Sequence, residues 1–201
     1  MGKKIIAIVG SYRKNGIIDS AIDVILRAAA EKGAQAEKIY LIDQHIEFCT
    51  NCRKCTQAQG PQRGGCIQED DMDRLLTKIE QADALVLGSP TNFFNVTAVT
   101  RRFIERLACY TCWPWGQKGP AVRNREQRKK AVLVTSSAMP APLAKFFTGS
   151  LRILKITAET LGAKPIGTLS IGMAALTEKQ ELPPAIIEKA RKLGHRLGTD
   201  S

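Results

Sequence analysis

Short apolar runs alternate with longer amphipathic stretches along the 201-residue chain, with no internal repeat and no low-complexity segment. "KIIAIVG" (4–10) is apolar on both faces that a strand presents and ends in glycine, which predicts a strand buried on both sides. Beyond it, Ile22, Ile25 and Leu26 fall at helical spacing; Asp19 or Ser20 is the expected cap and Gly33 the expected stop. A second strand is predicted over 36–42, then a helix over 69–82 with acids in its first turn, where the helix dipole favours them. A third strand runs over 84–90 and ends at Gly88 and Pro90. The same alternation predicts a helix over 96–110, a strand over 130–137, a helix over 146–163, a strand over 164–173 and a closing helix over 182–197.

Five strands, each followed by a helix, describe an α/β fold: a doubly wound three-layer sandwich whose parallel sheet is covered on both faces. Right-handed crossovers leave few topologies, and a five-stranded sheet of order 2-1-3-4-5 is the natural one. Its ligand would sit beyond the carboxyl ends of strands one, three and four, where strand order reverses. The loops 10–19, 89–96 and 136–146 should therefore carry the function.

Composition narrows the setting. At 44% hydrophobic and 24% charged, the chain can bury a core and is expected to form one domain over 1–201, with a cysteine-rich loop at 48–66. No run approaches the roughly 18 apolar residues of a membrane span. The apolar stretch near the start is too short for a signal core, and Ile6 stands where a myristoylation signal needs Ser or Thr. A cytoplasmic location is expected, and six cysteines in a reducing compartment favour metal or redox roles over disulfides. Part of the net charge of +11 is local: residues 117–130 carry six basic side chains against Glu126 alone. This is read as a solvated loop whose Arg128, Lys129 and Lys130 guard the next strand. No zinc-finger, RNP or helix-turn-helix pattern supports nucleic acid as a partner.

"GSYRKNGIIDS" (10–20) joins the first strand to the first helix. Such a loop offers unpaired backbone N–H groups and a positive dipole end to an anion. Ser11 adds a hydroxyl donor and Arg13 a charge-assisted one, while Gly10 and Gly16 permit tight turns. It is neither the G-x-G-x-x-G fingerprint nor a Walker loop. With "ADALVLGSPTNFFNVTAVTRRFIER" (82–106), "VTSSAMPA" after the fourth strand, and the cysteine stretch followed by "CIQEDDM", the chain resembles the flavodoxin-like NAD(P)H-dependent FMN reductase family, including its iron–sulfur flavoprotein branch. The resemblance runs over about residues 4–172. It departs at Ile17 and Ile18, where the family usually has Asn or Ser and then Thr, so the hydroxyl would come from Ser20. Asp19 would repel a phosphate unless its carboxylate turns back to cap the helix. Asn92, Phe93, Phe94 and Asn95 replace the family's Tyr, aromatic and Gly pattern.

The resemblance implies FMN, with Ser11, Arg13, Gly16, Ile18 (through its backbone) and Ser20 at the phosphate end. Pro90, Thr91, Asn92, Phe93 and Asn95 would line the ribityl chain and ring, and Ser136, Ser137 and Ala138 would flank the ring. Phe93 and Phe94 could equally serve the core or a subunit contact, and Arg101 and Arg102 are read as a solvated helix face. His45 and His195 are isolated and read as structural or surface residues; hydride transfer to a flavin needs no catalytic base.

Cys49, Cys52 and Cys55 form C-x2-C-x2-C, and Cys66 could supply the fourth thiolate of an iron–sulfur cluster. Zinc sites usually pair two separate C-x2-C knuckles, so the triple spacing favours a [4Fe-4S] cluster over zinc. The ten residues before Cys66 are a longer reach than is usual in the iron–sulfur branch, with Gly60, Pro61, Gly64 and Gly65 to make it flexible. Reduced thiols that only tighten a loop are the alternative. Cys109 and Cys112 form a C-x2-C that could be a redox dithiol or half a metal site; with Trp113, Pro114 and Trp115 adjacent, the favoured reading is an aromatic plug at a subunit interface. The function expected is an FMN-dependent oxidoreductase taking electrons from NAD(P)H or another donor to an unknown acceptor, as a homodimer or homotetramer. Its rivals are a non-catalytic electron carrier with FMN and a cluster, and a flavin-free cysteine-ligated binding module.

Overall fold

A computed structural model of the chain describes residues 2–123 and 126–199. Its elements are β1 (Lys4–Val9), α1 (Ile17–Ala30), β2 (Gln35–Tyr40), α2 (Met72–Glu80), β3 (Ala84–Asn92), β4 (Asn95–Val96) and α3 (Ala98–Glu105). They continue as β5 (Thr111–Cys112), β6 (Ala121–Val122), β7 (Lys129–Ser136), α4 (Ala141–Phe147), α5 (Ser150–Thr160), β8 (Ala163–Ile171) and α6 (Pro184–Gly198). The main sheet runs β2-β1-β3-β7-β8, all parallel, which is the expected flavodoxin-like order. A sixth strand, β4, folds back antiparallel on β3, and β5 and β6 form a separate hairpin.

The alternation in β1, β3 and β7 sorts the core into two layers. Ile6, Ile8, Leu85, Leu87 and Leu133 face α2, α3 and α5. Ile5, Ala7, Val9, Val86, Val132 and Val134 face α1 and α6. Burying each such Ile, Leu or Val side chain contributes roughly 1.5–3 kcal/mol. Both layers stop at the carboxyl end of the sheet, where the polar loops begin.

Several boundaries differ from the sequence expectation, among them the start of α2, at Met72 rather than residue 69, which leaves Glu69, Asp70 and Asp71 ahead of its first turn. α1 starts at Ile17 with Gly16 at its cap, so neither Asp19 nor Ser20 caps it. The predicted helix over 146–163 is two helices, α4 and α5, broken at Thr148 and Gly149. The predicted helix over 96–110 ends at Glu105 and tightens into a 3-10 turn over Arg106–Tyr110. No helix among the described residues is long and apolar enough to cross a membrane.

Asp19, fully buried in the first turn of α1, accepts hydrogen bonds from the Asn15 backbone (2.6 Å), Lys38 Nζ (2.6 Å) and the Tyr40 hydroxyl (2.9 Å). Burial alone would raise its carboxyl, but these donors outweigh that and hold it below the ordinary carboxylate range. A depressed folded-state pKa adds stability above the unfolded value of about 3.9 and loses it as pH falls through the lower folded value. Urea midpoints measured between pH 6 and pH 2 should therefore fall at the acid end, and the fall should be shallower in Asp19→Asn. An identical pH slope in the two proteins would refute this assignment.

Candidate functional site

In-register pairing of Val9 with Gly88 and of Pro90 with Ser136 brings the ends of β1, β3 and β7 to one edge of the sheet. The loop after β1 is held by Ser11, whose hydroxyl accepts the Arg13 N–H (3.1 Å). Gly16 leaves the cap of α1 without a side-chain hydrogen bond, so the first-turn N–H groups face an open position. Arg13 is exposed beside it, and Ser20 is half-buried in the first turn. Ile18 is buried and can contribute only its backbone there. Asp19 does turn back, but it closes the loop through the Asn15 N–H and neutralises itself on Lys38, so it is no barrier to an anion.

Three buried hydroxyls not anticipated from the sequence join this loop to the next. Thr97 Oγ1 donates to the Gly10 carbonyl (2.6 Å) and lies 2.8 Å from Thr100 Oγ1, while Thr100 Oγ1 is 3.2 Å from Ser89 Oγ. Thr97 also caps α3 by accepting the Thr100 N–H. The signal was present as Thr-x-x-Thr at a helix start and as the Ser of Gly-Ser-Pro.

In the second loop, Asn92 pairs with Asn95 across a two-residue turn. Phe93 and Phe94 both hold positive φ there (46° and 65°), at a cost of roughly 1–2 kcal/mol each for residues other than glycine. Their rings meet edge-on at 6.1 Å, and Phe93 is 97% exposed, so neither is a core residue. Pro90 is half-buried at the sheet edge. Thr91 is partnered by Ser150 Oγ (2.8 Å), and Asn95 Oδ1 accepts the Val96 N–H, so these two serve the scaffold in part. Thr91, Thr135, Ser136 and Ser137 line a crevice against α4, with Lys145 at its side. Ser137 Oγ donates to the Met139 carbonyl (2.9 Å), and Ala138 is exposed at the rim. Thr135 Oγ1 is buried with no hydrogen-bond partner among the described residues.

The cysteine loop packs on the segment after α3. All six cysteines are free thiols. Gly64 donates its N–H to the Cys109 carbonyl (2.8 Å), and Arg123 Nη2 donates to the Cys55 carbonyl (3.0 Å). The same guanidinium reaches the carbonyls of Gly60 (3.2 Å), Cys109 (3.1 Å) and Thr111 (3.1 Å). The ten-residue excursion is thus folded back on itself and delivers Cys66 beside Cys55. Burial raises the Cys55 thiol, and the nearby Cys66, Cys49 and Cys52 raise it further. Cys52 is exposed and lowered by the Lys54 backbone N–H. Cys109 is pushed up to about 12 by burial.

Arg53 lies between Trp113 (3.9 Å) and Trp115 (4.1 Å), and donates to the Trp113 carbonyl (2.6 Å). The tryptophans therefore hold the cysteine loop of their own chain, a role the sequence reading as a subunit-interface plug missed. Arg123, read as one charge of a solvated run, is a half-buried clamp; Asn124 and Arg125 of that run lie outside the described residues. Of the other basic residues, Arg128 pairs with Glu126 (2.6 Å) and Arg101 with Glu105 (3.1 Å). His45 pairs with Glu47 just before the cysteine loop, and His195 pairs with Glu31.

Among the described residues, no three His, Cys, Asp or Glu side chains are arranged to hold a metal ion. A single zinc would need its sulfurs at about 2.3 Å from one centre. The thiols of Cys66, Cys49 and Cys52 all lie near enough to Cys55 to act on it electrostatically, and four cysteine thiolates are the donor set of an iron–sulfur cluster.

The profile of the NADPH-dependent FMN reductase family matches residues 3–142. The chain belongs to that family. Membership makes it an FMN-dependent oxidoreductase by family, and its curated relatives place it in the iron–sulfur flavoprotein branch. An iron–sulfur flavoprotein of Archaeoglobus fulgidus is 29% identical over 194 residues, 96% of this chain and 78% of the relative. A second from the same organism is 37% identical over 103 residues, 51% of this chain and 48% of the relative, so that alignment spans about half of each. An azoreductase from Bacillus anthracis shares the fold at a TM-score of 0.72 and 15% identity, covering 96% of this chain and 99% of that one. An NAD(P)H:quinone oxidoreductase from Methanothermobacter marburgensis does so at 0.71 and 15% identity, covering 98% and 100%.

The loops fit FMN. An uncapped helix start beside Arg13 suits the phosphate, and the unpartnered Thr135 hydroxyl lines the crevice at the same edge of the sheet.

Proposed function

We propose that this chain is a single FMN domain that accepts electrons from NADH or NADPH and passes them to an acceptor that the chain alone does not name. The observation that carries the reading is the uncapped start of α1, stitched by Thr97 and Thr100 to the Gly-Ser-Pro loop at the edge where strand order reverses. Ser11, Arg13, Gly16, the Ile18 backbone and Ser20 would hold the FMN phosphate. Pro90, Thr91, Asn92, Phe93 and Asn95 would line the ribityl chain and ring, with Ser136, Ser137 and Ala138 on the other side. Bound there, FMN supplies the hydride and one-electron chemistry. The chain's own work is to orient the ring, with no proton-transfer residue required.

Cys49, Cys52, Cys55 and Cys66 would bind a [4Fe-4S] cluster, which supplies a one-electron couple. The closure of the loop by Gly64 and Arg123 supports this assignment. Self-association as a homodimer or homotetramer is supported by the exposed Phe93, Phe94, Phe146 and Phe147 near the crevice.

Anaerobically purified protein should be yellow-brown, bind added FMN, carry iron and sulfide, and sediment above the monomer. Stopped-flow mixing with NADH or NADPH should bleach the flavin. Protein that takes up no FMN overturns the flavin reading, and flavin that neither nicotinamide reduces makes the chain an electron carrier.

A further inference from the structure

Arg106 follows α3 directly, with its side chain 2% exposed and that of its partner Asp70 fully buried. Its Nη1 donates to Asp70 Oδ2 and to the Glu47 carbonyl (2.9 Å). Its Nη2 donates to Asp70 Oδ1 (3.2 Å) and to Cys66 Sγ (3.4 Å). Asp70 is itself fixed by the backbone N–H groups of Glu47 (2.8 Å) and Met72 (2.9 Å). The guanidinium therefore cannot swing away. One edge is locked on a carboxylate, and a remaining N–H is aimed at sulfur.

We propose that Arg106 is a positioning residue for the iron–sulfur centre: it holds Cys66 in the ligand set and raises the reduction potential of the cluster by donating to its sulfur. The inference rests on the reading of Cys49, Cys52, Cys55 and Cys66 as cluster ligands. A cationic N–H at a ligating sulfur stabilises the state with one more negative charge, which is the reduced cluster. The couple is one electron on and one electron off, with no bond made or broken. The Arg106–Asp70 pair is buried while Cys66 is exposed, so the guanidinium keeps its aim although water reaches the sulfur. Asp70 keeps the net charge of the pair near zero while turning its positive end toward Cys66. The arrangement also ties the two proposed centres together: α3 is capped by Thr97, bonded to Gly10 of the proposed flavin loop, and is followed by Arg106 at the cysteine loop. At 1.5 Å per residue the eight residues of α3 span about 12 Å.

The test is a dye-mediated redox titration of the anaerobically purified holoprotein, following the reduced-cluster EPR signal and the flavin absorbance in one sample. Arg106→Gln combined with Asp70→Asn removes both charges without stranding a buried carboxylate. The cluster potential should fall in this double variant while the flavin potential stays in place. Arg106→Lys, which keeps the charge but offers a poorer fork, should fall less. A double variant with full iron content and the wild-type cluster potential overturns the inference and leaves the cluster reading standing. If the double variant loads no iron, an unchanged potential in Arg106→Lys overturns it instead. Wild-type protein free of iron and sulfide overturns the inference and the cluster reading together.

Discussion

Gly10→Ala weakens FMN binding by roughly tenfold or more and lowers stability by on the order of 2–4 kcal/mol, the sum expected for overpacking and a damaged cap. A Cβ at residue 10 would lie 1.9 Å from Thr100 Oγ1, 3.1 Å from Thr100 Cβ and 3.2 Å from the Gly88 carbonyl. Thr100 cannot simply rotate aside, because its hydroxyl is shared among Thr97, Ser89 and the Gly10 carbonyl. Relief of the clash must push the first turn of α3 away from the end of β1. That breaks the Thr97 bond to Gly10 and misaligns the flavin loop with the Gly-Ser-Pro loop. Urea denaturation and FMN fluorescence quenching measure the two effects. Wild-type values for both would mean that the hydroxyl network is not what couples these loops.

The second large effect is local. In Gly64→Ala the new Cβ would sit 1.8 Å from the Cys55 carbonyl oxygen and 2.7 Å from its carbon. Both atoms are backbone, so the excursion must open, with loss of the Gly64–Cys109 bond and of the Arg123 clamp on Cys55. Iron content should fall to a small fraction of wild type and FMN binding should change little, while the unfolding midpoint falls, since the loop borders the core layer beneath α2, α3 and α5 at Cys55 and Cys109. A readout independent of iron is alkylation of the native apoprotein. Cys109, 3% exposed in the closed loop, should become reactive in the variant. Full iron content together with a protected Cys109 would refute the closure.

Much of the scaffold is legible in the sequence. The two-sided burial of β1 and β3 follows from unbroken apolar runs, and the order 2-1-3-4-5 from five strand–helix units with right-handed crossovers. Where the expectation slipped, a tertiary contact overrode a local signal. The helix predicted over 146–163 breaks because the Gly149 N–H is taken by the Phe94 carbonyl (2.8 Å), which anchors the second loop instead of extending the helix. Asp19 has the sequence look of a cap, yet its carboxylate is claimed by Lys38 and Tyr40 of β2, which no local rule can foresee. β4 exists because Phe93 and Phe94 accept a left-handed turn that their side chains disfavour.

The candidate site divides in the same way. Residue types and spacing by themselves set the expectation of where a ligand belongs: the ends of strands one, three and four, the Ser11–Gly16 loop, and a run of thiols after strand two. They did so because strand period, helix start and cysteine spacing are local properties of the chain. Only the tertiary structure decided that the ten-residue reach to Cys66 closes, and that Arg123 and Arg53 clamp it. It alone put Arg106, forty residues along the chain from Cys66, within hydrogen-bonding distance of its sulfur. Charged side chains carry no periodic signal of their partners. Whether a given arginine is solvated or locked on buried acceptors depends on which segments the fold brings together, and that is settled only when the chain has packed.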